Sequence, residues 1–507
     1  MKSDGIKKLI VQAGGLGVRM GKYTKNKNKC LIPYQGKTII HHLLDIFTDV
    51  EITIIVDYKR NLLINYVHNI LNRKDVRFVT AHKKSTSAGL IESTKEYEKD
   101  EPFIYVWSDL VFFKKPIFDF VSDIFVGTTN DFECRWSIQN DKLVNVVSSQ
   151  NGVMGLFAFR NKSVIADFDE ELSLVGGNLS KKENNISYSN ITDVIEIGTE
   201  CKYNELLSKD SKCRFFNKIS IKDNTIVKEC INKEYSNLIE SELEWYNTLR
   251  QFNINFIPKI ISTNPLTMSK INGVHPFEKK FSYIEKRSII ENIMKNLHLL
   301  HNLNQIKSIQ KDVTEIYYNK TFQRVYSVKS VIPFFDDYEI CINDQNFLNP
   351  FSKLNLDLFQ KNISSINVEH YNIIHGDPTF SNTLVTNNLD TIFIDPRGYF
   401  GNTKVFGDKN YDWAKLFYSV DGNYDSINSK KFSVDLHNEK VSLSIESSEF
   451  ESFSDIVLIN SKMSSEMMHL YQSLIWFSLT GYVKEDIDSI LYSFYRGIVY
   501  WNKHLSH

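Results

Sequence analysis

Two short stretches of this 507-residue chain place reactive residue types at spacings suited to phosphate chemistry. In residues 373–384, IIHGDPTFSNTL, Asp377 is followed five residues later by Asn382, and Asp395 stands 18 residues beyond Asp377 in IFIDPRG. A carboxylate at the first position accepts or orients a hydroxyl proton. The Asn and the second Asp supply oxygen ligands to Mg²⁺ held against ATP phosphates. The other stretch, residues 9–21, reads LIVQAGGLGVRMG. Gly14, Gly15 and Gly17 let backbone N–H groups approach phosphate oxygens without interference from a Cβ, and Arg19 adds a planar cationic fork. A second basic segment, NKNKCLIP, follows at once, which separates this loop from a dinucleotide-binding glycine turn.

The elements that must carry these loops are legible from periodicity. In the first half, apolar runs at 9–11, 52–57, 76–80 and 103–107 read as strands, and 39–47 and 61–71 as amphipathic helices. That alternation predicts a mainly parallel sheet covered by helices, with ligands beyond the carboxyl ends of the strands. The second half opens on strands at 215–221 and 225–231 around an Asp223-Asn224 turn, then a helix over 234–250. Beyond about residue 282 the pattern is mostly helical, at 289–303, 313–325 and 463–501 in pieces. A small sheet followed by a large helical lobe predicts a cleft between two lobes. The polar stretch 207–214 marks the boundary, giving domains 1–210 and 211–507.

With these elements in view, residues 9–37, GGLGVRMG then KCLIPYQGK, resemble the sugar-phosphate and choline-phosphate nucleotidyltransferases. Lys29 takes the place of that family's lysine, and Asn28 stands where the family usually has Pro. Three later segments fit the same resemblance. Ser85-Thr86-Ser87-Ala88-Gly89 falls at the base-recognition loop, implying contacts from Ser87 and Gly89. Trp107-Ser108-Asp109 resembles the Gly-Asp metal motif, and Glu196-Ile197-Gly198-Thr199 the Asp-x-Gly-Thr motif. Asp109 and Glu196 are then the implied Mg²⁺ ligands. The implied reaction is attack by a phosphomonoester oxygen on the α-phosphorus of a nucleoside triphosphate, with pyrophosphate leaving and Arg19 and Lys29 neutralising charge.

The second half resembles the aminoglycoside phosphotransferase and choline kinase family through HGDPTFSN and GDKNYDWAKL at 407–416. The resemblance gives Lys228 the role of ATP-phosphate lysine and Glu242 that of its partner, and puts the inter-lobe hinge at 266–273. His375 reads as structural, Asp412 as a brace for the catalytic loop or its helix, and His298 and His301 as core. Arg397, two residues past Asp395, is placed to select the acceptor. It suits a carboxylate, a phosphate or hydroxyls, and opposes a quaternary ammonium. Alternatively, it pairs with a carboxylate such as Asp408 and braces the loop.

Composition narrows the partners. Lys+Arg of 60 against Asp+Glu of 61 leaves a net charge of −1, with no basic excess for nucleic acid or anionic membrane. No apolar run approaches a membrane span, and the six cysteines form no CxxC pair, as expected of a cytoplasmic protein with reduced thiols. The two resemblances together imply a Rossmann-like nucleotidyltransferase domain with a mainly parallel sheet, followed by a two-lobed, protein-kinase-like α+β phosphotransferase domain. Such a pair would phosphorylate a small alcohol or polyol with ATP, then activate the product with a second nucleoside triphosphate, CTP being favoured, for surface polysaccharide. A sugar 1-kinase paired with a sugar-1-phosphate nucleotidyltransferase is the alternative, and one active half beside a degenerate binding module is a third reading.

Overall fold

The computed structural model describes residues 5–119, 122–182, 185–209, 217–231 and 236–506. The chain divides into two compact units, Met1–Ser211 with Lys484–Ile487, and Lys212–Val483 with Asp488–His507. Of the stretch 207–214 in which the sequence suggests a boundary, residues 210–214 lie outside the described residues.

The N-terminal unit is built on β1 (Lys8–Gln12), β2 (Glu51–Ile55), β3 (Arg77–Val79) and β4 (Phe103–Trp107). β1 pairs in parallel with both β2 and β4, and β2 in parallel with β3. Both faces of such strands are covered, which is why Leu9, Ile10 and Val11 form an unbroken apolar run and are buried completely. Helices Ile39–Ile46 and Thr86–Thr94 supply cover, the second packing Leu90 into a core with Ile10, Ile55 and Tyr105. The parallel set does not continue across the whole sheet. Gly152–Phe159 runs antiparallel to β4, and Ile186–Asn190 rejoins in parallel through Ile124–Thr129. The helix expected at 61–71 is Arg60–Asn65 followed by a wider turn, Tyr66–Ile70.

The second unit opens on an antiparallel sheet in the order Asn217–Lys222, Thr225–Cys230, Leu266–Ser269, Ile260–Thr263. Helix Ser236–Leu249 follows the first hairpin. The chain leaves this sheet after Ser269 and enters another at Gly273–Val274, which pairs with Thr383–Thr386, so the passage falls in the segment expected to act as a hinge. Long helices follow: Tyr283–His301, Lys320–Val328, Lys409–Val420, Ser465–Thr480 and Ile487–Leu505. The first starts six residues before the expected 289, because Ser282 and Glu285 form a reciprocal capping box. The mostly helical expectation also missed a four-stranded sheet made of two hairpins, Glu339–Ile342 with Gln345–Leu348 and Phe432–His437 with Lys440–Ile445. Its turns are Asn343-Asp344 and Asn438-Glu439, all four at positive φ, the geometry that two-residue hairpin turns demand.

One irregularity ties the first sheet to its functional end. The pairing of Gly152–Phe159 with Ile124–Thr129 shifts register between Val153 and Phe157, and Gly155 within the shift has φ +97°. A Cβ there would run into the Trp107 ring at the end of β4. We expect Gly155→Ala to cost about 2–4 kcal/mol, the sum of a left-handed backbone penalty and overpacking. Urea unfolding followed by tryptophan fluorescence checks this; an unchanged midpoint would show that Trp107 yields without cost.

Candidate active sites

In the N-terminal unit the glycine loop leaves β1 at the carboxyl end of the parallel strands. Gly17 has φ +66°, and a Cβ there would come within 2.9 Å of Thr24 Cγ2, so the loop closes on itself only with glycine. Its carbonyl accepts a hydrogen bond from Thr24 Oγ1 at 3.0 Å. A Cβ at Gly15 would meet open space, and Leu16, Val18 and Arg19 are exposed, with no partner recorded for Arg19 among the described residues. The loop therefore offers backbone and one free guanidinium to solvent.

Asn28, the departure from the family's Pro, is buried and holds the next turn in place. Its amide donates to the carbonyls of Ala13 and Tyr58, and its oxygen accepts from Cys30 N at 3.0 Å, capping the turn Lys29–Leu31. That clamp points Lys29 across to β4, where its ammonium stands 2.7 Å from Asp109 Oδ2. Asp109 Oδ1 is buried without a hydrogen-bond partner. Glu196 ends the strand Val194–Glu196, which pairs Glu196 with Leu110 and so brings it beside Asp109. Burial, then the Asp109 charge, pushes the Glu196 carboxyl up from its ordinary value, against the opposing pull of Lys202 and Lys29. Helix Glu200–Lys209 locks this strand end to the loop, with Tyr203 donating to Pro33 O and Tyr23 to Asn204 Oδ1, both at 2.6 Å.

Asp109 and Glu196 fit a Mg²⁺ ion that keeps most of its shell as water and phosphate. One buried oxygen lacks a partner, and two carboxylates crowd each other. Among the described residues no three His, Cys, Asp or Glu side chains gather as a larger metal set. Ser87 and Gly89 lie on the helix Thr86–Thr94 with their side-chain positions turned to the protein interior. Ser87 is completely buried and its Oγ accepts from Asn178 Nδ2 at 2.8 Å, while Gly89 lets the helix press against Ile55, where a Cβ would lie 2.9 Å from Cγ2. The sequence reading passed over Gln12. Its Oε1 accepts from Tyr105 OH at 3.1 Å, and its amide lies near both Gly14 and Gly89. A polar residue closing an apolar strand before the glycines was the available signal.

In the second unit Lys228 Nζ stands 2.7 Å from Glu242 Oε2 and 2.8 Å from Asp395 Oδ1. Those two carboxylates raise its pKa above the ordinary lysine value despite burial, which acts the other way. Asp395 reaches Lys228 from a left-handed backbone, φ +52°, a conformation that Asp tolerates better than most residues. Asn382 Nδ2 donates to Asp377 O at 2.8 Å and to Asp377 Oδ2 at 3.1 Å. The sequence-derived Asp377, Asn382 and Asp395 are thus held on neighbouring strand ends, and Ile394 N donates to Asn382 O. Asn382 and Asp395 are oxygen donors of the kind a second Mg²⁺ accepts.

The loop is braced from behind. The buried Asp412 accepts from His375 N at 2.8 Å, Gly376 N at 2.7 Å and His301 Nε2 at 3.0 Å. His375 Nε2 donates to Ile394 O while its Nδ1 accepts from Asp377 N, and burial lowers its pKa, which keeps it neutral and structural. His298 packs on Trp413. Arg397 does not pair with Asp408, whose carboxylate is taken by Tyr317 and Tyr471. Instead its guanidinium lies 4.4 Å over Tyr399 and 3.3 Å from Tyr411 OH. Lys415, which sequence reading missed, reaches Asp377 Oδ1 at 3.0 Å; it lies three residues after Asp412, on the same helix face. We expect Asp412→Ala to cost about 3–5 kcal/mol, since it strands buried donors, and Asp412→Asn to recover part of the loss. Thermal unfolding of the two variants measures it, and equal melting temperatures would remove Asp412 from the brace.

Comparison with known proteins finds similarity over the N-terminal unit. Residues 9–133 match the model of the MobA-like NTP transferase domain. The matched residues take in the mostly parallel, Rossmann-like part of the N-terminal sheet, β1 (from Leu9) to β4. Bifunctional protein GlmU of Methanocaldococcus jannaschii is 28% identical over 105 residues, which are 20% of this chain and 25% of the relative. The chain therefore aligns with about a quarter of the length of that curated relative. Among solved structures, the CTP:phosphocholine cytidylyltransferase LicC from Streptococcus pneumoniae is similar at 18% identity and a TM-score of 0.35, covering 40% of this chain and 99% of that one. HddC from Yersinia pseudotuberculosis has 18% identity and a TM-score of 0.33 over 40% of this chain and 99% of its own. The inositol-1-phosphate CTP transferase from T. maritima has 18% identity and a TM-score of 0.32 over 40% and 96%.

Proposed function

We propose that the N-terminal unit is a nucleotidyltransferase that joins a phosphomonoester to a nucleoside monophosphate and releases pyrophosphate. The observation that carries this is the pair made by Lys29, on the turn that follows the glycine loop, with Asp109, just past the carboxyl end of β4, where Asp109 Oδ1 is left unpartnered. The family match over residues 9–133 supports the same reading. Backbone N–H groups of residues 14–17 and the Arg19 fork receive the triphosphate. Lys29 faces the α-phosphate and stabilises charge as the phosphomonoester oxygen attacks in line. Mg²⁺ held by Asp109 and Glu196 supplies further neutralisation there when bound. No protein nucleophile enters the step. CTP is the favoured triphosphate.

The second unit, on this proposal, is an ATP-dependent phosphotransferase of the aminoglycoside phosphotransferase and choline kinase type. The Lys228 bridge to Glu242 and Asp395, with Asn382 tied to Asp377, supports it. Asp377 orients the acceptor hydroxyl and takes its proton; Lys228 meets the nucleotide phosphates; Asn382 and Asp395 are the donors for Mg²⁺. Residues 1–210 and 211–507 then act in series in the cytoplasm. The kinase makes a phosphomonoester from a small alcohol or polyol, and the transferase converts it to a nucleotide-activated unit for surface polysaccharide.

The full chain, supplied with CTP and a panel of phosphomonoesters, should release pyrophosphate, and Lys29→Met should cut that rate about 10- to 150-fold while ADP formation from ATP persists. Equal pyrophosphate release by Lys29→Met would remove the lysine from the reaction. Conversely, Asp377→Asn should lower ADP formation about 10²–10⁴-fold and leave pyrophosphate release from a supplied phosphomonoester unchanged. Product analysis by mass spectrometry reads both activities in one mixture, and wild-type kinase turnover in Asp377→Asn would end the phosphotransferase reading.

A further inference from the structure

Four cations of the second unit converge beside Asp377, and carboxylates do not balance them. Arg397 is fixed between two rings, 4.4 Å from the centroid of Tyr399 and 5.6 Å from that of Tyr411. Its Nη2 is buried and has no hydrogen-bond partner, and its bond to Tyr411 OH is long at 3.3 Å. Tyr411 is shared: Lys415 Nζ lies 5.9 Å from the same ring and 3.0 Å from Asp377 Oδ1. Arg324 and Lys320 come from one face of helix Lys320–Val328, four residues apart. Arg324 spends one nitrogen on Ser478 O at 2.8 Å, and Lys320 has no hydrogen bond or ion pair among the described residues. Burial, then the charges of Arg397, Arg324 and Lys415, push the Lys320 pKa well below the ordinary lysine value. Asp377, the carboxylate of this group, is already held by Lys415.

Half-buried cations gathered this way repel one another and lack the donors' usual acceptors, a cost that a bound anion relieves. We propose that the acceptor phosphorylated at Asp377 is an alcohol that also carries a compact anionic group, a carboxylate or a phosphate, held by Arg397, Arg324 and Lys320. This rests on the phosphotransferase reading of the second unit. The geometry divides the labour: Asp377 and Lys415 face the reacting hydroxyl, while the free edge of Arg397 offers a donor to a planar or tetrahedral anion. Tyr399 and Tyr411 stack on the guanidinium and hold it in that plane. A quaternary or primary ammonium in the same place would add a fifth positive charge.

The test uses the full chain with ATP, Mg²⁺ and acceptors matched in size. Glycolate, glycerate and malate carry a carboxylate, and glycerol 1-phosphate a phosphate. Glycerol and ribitol are uncharged; ethanolamine and choline are cationic. ADP and phosphorylated product are measured, and binding of each compound without ATP is followed by calorimetry. The expected result is turnover confined to one anionic class, which also separates carboxylate from phosphate. Arg397→Met and Lys320→Met should then raise the acceptor KM about 10- to 100-fold with the ATP KM unchanged. Better turnover of a polyol or an amino alcohol overturns the inference and keeps the kinase, as does a change confined to the ATP KM. If no compound is phosphorylated, Arg397-dependent anion binding sustains the anion site and removes the kinase reading. Absence of that binding overturns both.

Discussion

At the two proposed sites, lysine ammonium groups stand directly against carboxylates. Lys29 meets Asp109, Lys228 meets Glu242 and Asp395, and Lys415 meets Asp377. An isolated buried carboxylate would lose its charge or unfold its surroundings; a paired one keeps its charge and its direction. The consequence reaches function. On the proposed function, Lys29 and Lys228 also meet nucleotide phosphates, so the ammonium that pairs with a carboxylate is the one offered to the substrate. A cation that is useful to a substrate is here also a requirement of the fold.

Lysines are long and flexible, and charge pairing alone does not aim them. The aiming is done by short polar residues bonded to backbone. Asn28 ties the Lys29 turn to Ala13 and Tyr58. Asp412 gathers two backbone N–H groups and His301 under the Asp377 loop, and the neutral His375 links Asp377 N to Ile394 O. These clamps are local and directional, and each satisfies groups that would otherwise be buried without partners. The N-terminal site depends on glycine in the same way. Gly17 closes the loop, and Gly155 makes room for Trp107 next to the strand end that carries Asp109.

Much of this was legible in the chain. Strand ends announced the loops, because apolar runs such as Leu9-Ile10-Val11 stop abruptly at glycine or at polar residues, and the hydrophobic period alone fixes that. Asp377, Asn382 and Asp395, spaced in the sequence as the proposed chemistry needs, stand on neighbouring strand ends. What escaped was whatever depends on the side from which a residue is approached. The resemblance placed Ser87 in a base-recognition loop, but the helix Thr86–Thr94 begins one residue earlier and turns its hydroxyl to Asn178. The hairpins at 339–348 and 432–445 escaped because one hairpin pairs with the other across almost a hundred residues, at Cys341 and Lys440. A local reading of alternation has no access to that partner.

Lys320 and Arg324 show the limit most plainly. On the sequence they are two ordinary cations on a helix face, where a solvated stripe is the natural reading. In the fold that helix turns them toward Arg397 and Lys415, which are distant in sequence, and four unremarkable charges become a concentration of charge that the protein's own carboxylates do not match. Nothing about stability asks for such an arrangement. Replacing Lys320 by an apolar residue of similar length would relieve the desolvation that depresses its pKa, and would leave the Asp412 brace and the Lys228 bridge untouched. A charge so costly to hold, beside the proposed reacting aspartate, fits the anion-binding proposal, which gives it something to bind.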